Sequence, residues 1–392
     1  IIHIVLFHPQ SYKTAQNNQS FVKFVLLWFL LSFAMAMRLE LFKEILDIES
    51  TSGTERGLAE FLAKKFTESD PSCRCARYEV GDGTLNLLFR WDGGQEETLP
   101  KVLLCSHLDT VPPYISPEIN EIPAGTMLPD GRTAATDDTL ITGRGSCDAK
   151  GQFFSMWTAC GRLAAEGFND FGLLLLSGEE TGSFGAKAFD RDCPGGEWII
   201  VGEPTDNQMV SASKGTKAFN VVVHGKACHS GYPELGHSAV DTFIDIVNRL
   251  KSIDFPVDPE LGGTTWNVGK LESANPQNIL SPLLTCRIYF RTTFASDEMV
   301  QQTMSALASE DVEIESLGGD TPMHYDVIAG YGTKTVAFGS DTPRLSKFRH
   351  RSLCGPGSIF VAHTPAEYVL ASDLELAAAQ YADMVKRILK QL

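Results

Sequence analysis

The sequence predicts an α/β protein in two parts, a helix-flanked sheet interrupted by a smaller α+β domain. Three observations carry this prediction. Short apolar runs at Lys101–Leu104 and Leu173–Leu176 read as buried strands, with the helical text of 151–166 between them. The text changes character from Val210 to about Leu317, where strand and helix patterns make a compact segment of their own. After His324, strand-like text, glycine-rich loops and a final helix return. Strands alternating with helices mark a layered α/β architecture. A length of 392 residues also suits two domains, at roughly 100–200 residues each.

In chain order, residues 1–37 read as an extension outside the core. Ile1–Ser20 shows no clear period, and Phe21–Met37 is apolar except for Lys23 and Ser32. That run falls short of the about 20 residues a spanning helix needs. Lys13 and Lys23, the apolar run and then Ala34-Met35-Ala36 resemble a secretory signal with an A-x-A site. The other reading is upstream sequence ahead of a start at Met35 or Met37. Free-thiol chemistry favours this second reading and a cytoplasmic protein, with secretion or anchoring through 21–37 as the alternative.

From Arg38 the text is regular. Leu39, Phe42, Ile45, Leu46 and Ile48 keep one helical stripe, and Leu58, Phe61, Leu62 and Phe66 keep another. The first domain is expected over 38–209 and 318–392, and the inserted domain over 210–317. Inside the insert, Phe219–His224 and Leu284–Thr292 read as strands, and Ser238–Lys251 and Asp297–Ser309 as helices. A strand at Thr335–Phe338 and a helix at Asp373–Leu389 complete the first domain.

Composition narrows the function. The 49 acidic residues outweigh 33 basic ones for a net charge of −16, which repels nucleic-acid phosphates and anionic membranes alike. Small metabolites and metal cations remain as partners. The nine cysteines are scattered, odd in number and form no C-x-x-C pair, so they read as free thiols, mostly buried.

Four acid-or-histidine clusters follow strand-like text, where α/β sheets place their sites. They are Ser106-His107-Leu108-Asp109, Gly143-Arg144-Gly145 with Asp148, Glu179-Glu180 after Leu176-Ser177-Gly178, and Gly202-Glu203-Pro204-Thr205. On an extended chain His107 and Asp109 point the same way. Together the clusters supply an imidazole and several carboxylates, a donor set suited to zinc or a similar divalent ion. Carboxylates so gathered would repel one another unless a cation sat among them. Adjacent Glu179 and Glu180 stand on an irregular segment, so one can face a metal and the other a water.

The order and local text of these motifs, with the late Val361-Ala362-His363, resemble the dizinc aminoacylase family. That family includes acetylornithine deacetylase, succinyl-diaminopimelate desuccinylase and glutamate carboxypeptidases, and the resemblance runs from about Leu39 to Leu392. It implies a zinc-hydrolase domain with a mixed sheet, interrupted by an inserted lid and dimerisation domain. It also implies two zinc ions, for which cobalt could substitute. By the resemblance Asp148 would bridge the ions, His107 and Glu203 would complete one, and Glu180 with His363 the other. Asp109 would steady an imidazole and Glu179 would be the general base.

In the insert, Gly225-Lys226-Ala227-Cys228-His229-Ser230-Gly231 matches a family segment whose histidine reaches the partner subunit's site, so His229 would stabilise the oxyanion within a homodimer. Asn278 and Arg291 resemble substrate contacts, with Arg287 competing for the substrate carboxylate. Gly357 would bring backbone near the substrate. The tails Phe338–Pro343 and Val361–Tyr368 look most like acetylornithine deacetylase, which implies amide hydrolysis of an N-acyl amino acid and a place in arginine biosynthesis. A desuccinylase, dipeptidase or carboxypeptidase is the alternative within the family. A non-catalytic metal-binding homologue is the alternative of another class, and the complete set of competent ligand positions argues against it.

Overall fold

The computed structural model describes residues 38–391 apart from Asp82 and residues 94–97. The expectations for 1–37, the signal or anchor at 21–37 included, lie outside the described residues. Among those described, no helix is long and apolar enough to cross a membrane.

Helix α1 spans residues 38–47 and α2 spans Arg56–Ser69. Strands β1 (Arg74–Gly81), β2 (Thr84–Trp91), β3 (Val102–His107), β4 (Glu118–Ile122) and β5 (Asp138–Thr142) follow. Helix α3 (Lys150–Ala165), β6 (Phe171–Leu176), α4 (Phe184–Asp192), β7 (Gly196–Val201) and β8 (Met209–Ser213) close the first half. The central sheet runs β1-β2-β6-β3-β7, and a sixth strand, Phe348–Leu353, extends it beyond β7. β1 and β2 are antiparallel, as are β2 and β6, whereas β3 lies parallel to β6 and to β7. The sheet is therefore mixed.

Every residue of β2, β3 and β6 is buried. Their near-continuous apolar text follows, because both faces of the sheet are covered. Leu87, Phe89, Leu104, Leu173 and Leu175 pack on α2 and α3 through Leu62, Phe66, Phe153 and Met156. Leu88, Leu103, Cys105, Leu174 and Leu176 point the other way, onto Ala186 and Phe189 of α4. The period-2 alternation of strand side chains sorts them between two layers. Each such buried leucine or phenylalanine contributes roughly 1.5–3 kcal/mol over leaving it exposed.

The inserted domain holds β9 (Gly215–His224), α5 (Ala239–Lys251), β10 (Thr265–Glu272), β11 (Leu283–Thr292), α6 (Asp297–Ser305) and β12 (Val312–Ser316). Its antiparallel sheet is ordered β10-β11-β9-β12. Phe219, Val221, Ile288 and Phe290 from the sheet meet Phe243, Ile246 and Val300 from the two helices. Ser238 caps α5, its Oγ accepting the N–H of Val240 at 3.2 Å, a contribution of about 1 kcal/mol.

The chain then returns as β13 (Met323–His324), β14 (Thr333–Val336), β15 (Phe348–Leu353, the sixth strand), β16 (Tyr368–Leu370) and α7 (Ala371–Gln391). β8 pairs with β13 and β14, not with the insert's sheet, and Met209 and Val210 pack into the cores of the first domain. The insert's sheet thus starts at Gly215, a few residues beyond the boundary expected at Val210. A third small sheet, β16-β5-β4, borders the turn that carries Asp148.

Candidate active site

Parallel strands place their carboxyl ends together, and here those ends carry the acids. β3 stops at His107, β7 stops two residues before Glu203, and β6 turns through Gly178 into Glu179-Glu180. Gly178 has φ +70°, and a Cβ there would lie 1.7 Å from the Phe184 ring, so the turn admits no side chain. Asp148 comes from the turn between β5 and α3. His363 comes from the turn before β16 and itself takes a left-handed φ of 63°.

The donors converge around Asp148. His107 Nε2 lies 3.1 Å from Asp148 Oδ1 and 4.0 Å from Glu203 Oε1. His363 Nε2 lies 3.3 Å from Asp148 Oδ2 and 2.9 Å from Glu180 Oε1. Each oxygen of Asp148 faces its own imidazole, and each imidazole has its own second carboxylate. His107, Asp148 and Glu180 offer ligand atoms all within 4.8 Å of one another. This pairing around one shared carboxylate fits two divalent ions and suits nitrogen-and-oxygen metals such as zinc.

Asp109 does more than steady an imidazole. The Nδ1 of His107 lies 2.9 Å from the Asp109 carbonyl and 3.4 Å from its carboxylate, which leaves Nε2 turned to Asp148. The same carboxylate accepts the N–H groups of Glu179 at 3.0 Å and Glu180 at 3.2 Å, and the hydroxyl of Ser52 at 2.7 Å. One buried acid fixes both the first imidazole and the turn bearing the Glu pair.

The electrostatics are those of a cation site. Burial, with Asp341, Glu180 and Asp148 adding repulsion, pushes Glu179 well above the usual carboxylate range. Burial and the Asp148 charge do the same to Glu203. Against its own burial, Asp148 is held low by hydrogen bonds to His107 and His363. Hydrogen bonds to Asp148 and Glu180 raise His363 to about 10.

These residues open onto a cleft of about 350 Å³ lined by Asp148, Glu179, Glu180, Glu203 and His363. Arg291 and Tyr289 of β11 form part of its wall, the guanidinium 5.1 Å from the Tyr289 ring centroid. Arg287 does not line the cleft, and its Nε donates to Asn220 at 3.1 Å. His229 and Asn278 are exposed and lie on two loops bridged to each other, with Ser230 N–H donating to the Asn278 carbonyl at 2.9 Å. Neither lines this cleft. Gly357, at φ +74°, packs behind the site, where a Cβ would lie 2.5 Å from Cys147 Sγ, while nearby Ile359 reaches the cleft wall. His224 pairs with Glu313 and His237 with Asp311 on the insert. All nine cysteines are free, and burial pushes the thiols of Cys105 and Cys147 far above their ordinary range.

Two buried acids, Asp341 and Glu367, lie in the tails 338–343 and 361–368 and carry no role assigned from the sequence. Asp341 follows the glycine-rich Phe338-Gly339-Ser340, and Glu367 stands just ahead of the apolar Tyr368–Leu370. An acid beside strand text was the signal in each case.

A carboxylate shared between two imidazoles, with two more carboxylates and a recessed glutamate beside it, has the donor chemistry to hold divalent metal and activate a water. The comparisons agree. The model for Peptidase family M20/M25/M40 matches residues 103–387. A peptidase M20 domain-containing protein of Schizosaccharomyces pombe is 31% identical over 354 residues, covering 88% of this chain and 84% of that protein. A protein of Aspergillus fumigatus named as a probable carboxypeptidase is 31% identical over 390 residues, covering 88% of this chain and 86% of its own. In fold the chain is similar to a tripeptidase of Staphylococcus aureus (TM-score 0.71, 20% identity, covering 91% of this chain and 99% of that one). It is also similar to an M20 metallo-carboxypeptidase of Sulfolobus solfataricus (TM-score 0.66, 17% identity, 90% and 99% covered). The chain belongs to Peptidase family M20/M25/M40.

Proposed function

We propose that the protein is a zinc-dependent amidohydrolase that releases an amino acid from its acyl group, most like acetylornithine deacetylase. The observation that carries the reading is Arg291 lining the same cleft as the Asp148-centred donor set and Glu179. An N-acyl amino acid and the C-terminal residue of a peptide present the same features, an acylated amine and a free carboxylate. A guanidinium can hold that carboxylate as a two-pronged fork. The resemblance to carboxypeptidases of fungi favours the peptide as a second reading, and both place the amide over the donor set.

Two divalent ions held by His107, Glu203, Asp148, Glu180 and His363 would polarise the scissile carbonyl and lower the pKa of an attacking water. Glu179 then takes the proton of that water and delivers it to the leaving nitrogen, so the amine departs neutral. Its recessed position supports this, because a carboxylate poised to hold a proton is a competent shuttle. His229 supplies a hydrogen bond to the developing oxyanion from a partner subunit, in a homodimer joined through the inserted domain. That His229 does not line its own chain's cleft supports this reading.

A panel of N-acetyl amino acids (N-acetylornithine among them), N-succinyl amino acids and dipeptides, assayed with zinc or cobalt, tests the proposal. Hydrolysis is expected to vanish under a chelator and return with added metal. Full activity in a verified metal-free preparation would overturn it. The preferred substrate separates deacetylase from carboxypeptidase.

A further inference from the structure

Between β5 and α3 the chain reverses through Gly143-Arg144-Gly145-Ser146-Cys147-Asp148, and the N–H groups of this turn point into the protein. One side chain gathers them. Glu367 Oε1 accepts from Gly145 N at 3.0 Å, Cys147 N at 3.1 Å and Asp148 N at 3.0 Å. Its second oxygen pairs with Arg144, and both side chains are buried. The Glu367 carbonyl adds a fourth contact, accepting Gly143 N at 3.2 Å. Arg144 is tied back to the same segment through its hydrogen bond to the Thr364 carbonyl. Without Glu367, three buried donors beside the shared carboxylate would have no acceptor.

We propose that Glu367 is a positioning residue that sets the backbone from which Asp148 reaches its two imidazoles. The proposal rests on the donor set described above. Glu367 lies four residues after His363, so one short segment supplies a ligand and also clasps the turn of the bridging carboxylate. That segment belongs to the chain's return after the insert, whereas Asp148 precedes it. The clasp therefore ties the two halves of the first domain together at the turn that carries Asp148. A rotation of the Asp148 turn would move Oδ1 away from His107 and Oδ2 away from His363 together, so both positions should be affected at once. Partners of this kind typically change metal affinity or activity by about 10–100-fold.

Glu367→Gln tests this on the full chain, with zinc alone as the probe. The amide keeps one acceptor but turns its N–H₂ group toward the Arg144 donors. Zinc binding is measured by equilibrium dialysis against a competing chelator, beside kcat and KM at saturating zinc. The expected result is a loss of zinc affinity of about 10–100-fold, with kcat reduced and KM unchanged. Glu367→Asp keeps the charge and should recover part of the affinity. Tyr368→Phe keeps the buried ring and removes only a hydroxyl that accepts from Arg132, so it should bind zinc as the native chain does. Native zinc affinity and kcat in a folded Glu367→Gln protein would overturn the proposal, as would an equal loss in Tyr368→Phe. If Glu367→Gln does not fold, Glu367→Asp decides, and native affinity there overturns it. A native chain that binds no zinc would instead remove the donor set itself.

Discussion

The cleft and the tip of the inserted domain were built by different means. In the cleft, strand ends of the central sheet and turns beside the small β16-β5-β4 sheet bring His107, Asp148, Glu180, Glu203 and His363 within a few ångströms of one another. At the tip, His229 and Asn278 are held to each other by a loop pairing, yet neither lines the cleft. Under the proposed function the metal half of the chemistry would be complete in a single chain, and the oxyanion half would need either closure of the insert or a second subunit. A site split this way can bind metal tightly at all times and still couple chemistry to the arrival of substrate.

The largest expected effect lies in the cleft. Glu179→Gln keeps the shape of the side chain but cannot accept a proton. Turnover should fall by about 10²–10⁴-fold while zinc stoichiometry stays native. Atomic absorption on the dialysed protein, read beside single-turnover rates, separates the two quantities. Loss of metal with unchanged turnover per bound ion would make Glu179 a ligand and reverse its role with Glu180.

Local chemistry was legible where it coincided with local text. His107 and Asp109 stand two apart at the end of an apolar run, and Glu179-Glu180 follows another, so strand ends and acids were visible together. The helix of Ala239–Lys251 was legible for the same reason, through its apolar stripe and its Ser238 cap. The bracing of this site was not. Asp109 reaches Glu179 and Glu180 across 70 and 71 residues, and Glu367 reaches Asp148 across 219. Such contacts are set by how strands stack in the sheet, which no short window encodes. The domain boundary drifted for a related reason. The apolar text of β8 suits either sheet, and only its pairing with β13 and β14 assigns it to the first domain.

A smaller effect, and a sharper test of the split, comes from His229. His229→Ala should lower kcat by about 10²–10³-fold, the loss typical of one oxyanion donor. Mixing it with Glu179→Gln under conditions of subunit exchange should restore activity if the histidine works across a dimer. In a two-fold dimer each mixed pair holds one site with intact Glu179 and a His229 from the other chain, so about a quarter of all sites should recover. No recovery despite exchange proven by mass spectrometry would place His229 in its own subunit's site, or outside the reaction.

The smallest effect distinguishes two arginines on one strand face. Arg287 and Arg291 alternate with buried neighbours along β11 and both point away from the insert's core. Only Arg291 borders the cleft, and Arg287 is engaged with Asn220. Replacing arginine by lysine keeps the charge and removes the two-pronged geometry, so the loss reports a fork to carboxylate and not a general field. Arg291→Lys should reduce kcat/KM by about tenfold, mostly through KM, since the carboxylate contact is made equally in the ground and transition states. Arg287→Lys should leave both constants near native. A substrate whose carboxylate is amidated should erase the difference between native and Arg291→Lys proteins, because the group the fork would hold is gone. If Arg287→Lys carried the larger KM effect, the carboxylate would be held from the insert's outer end, and the cleft wall seen here would rearrange when the insert closes.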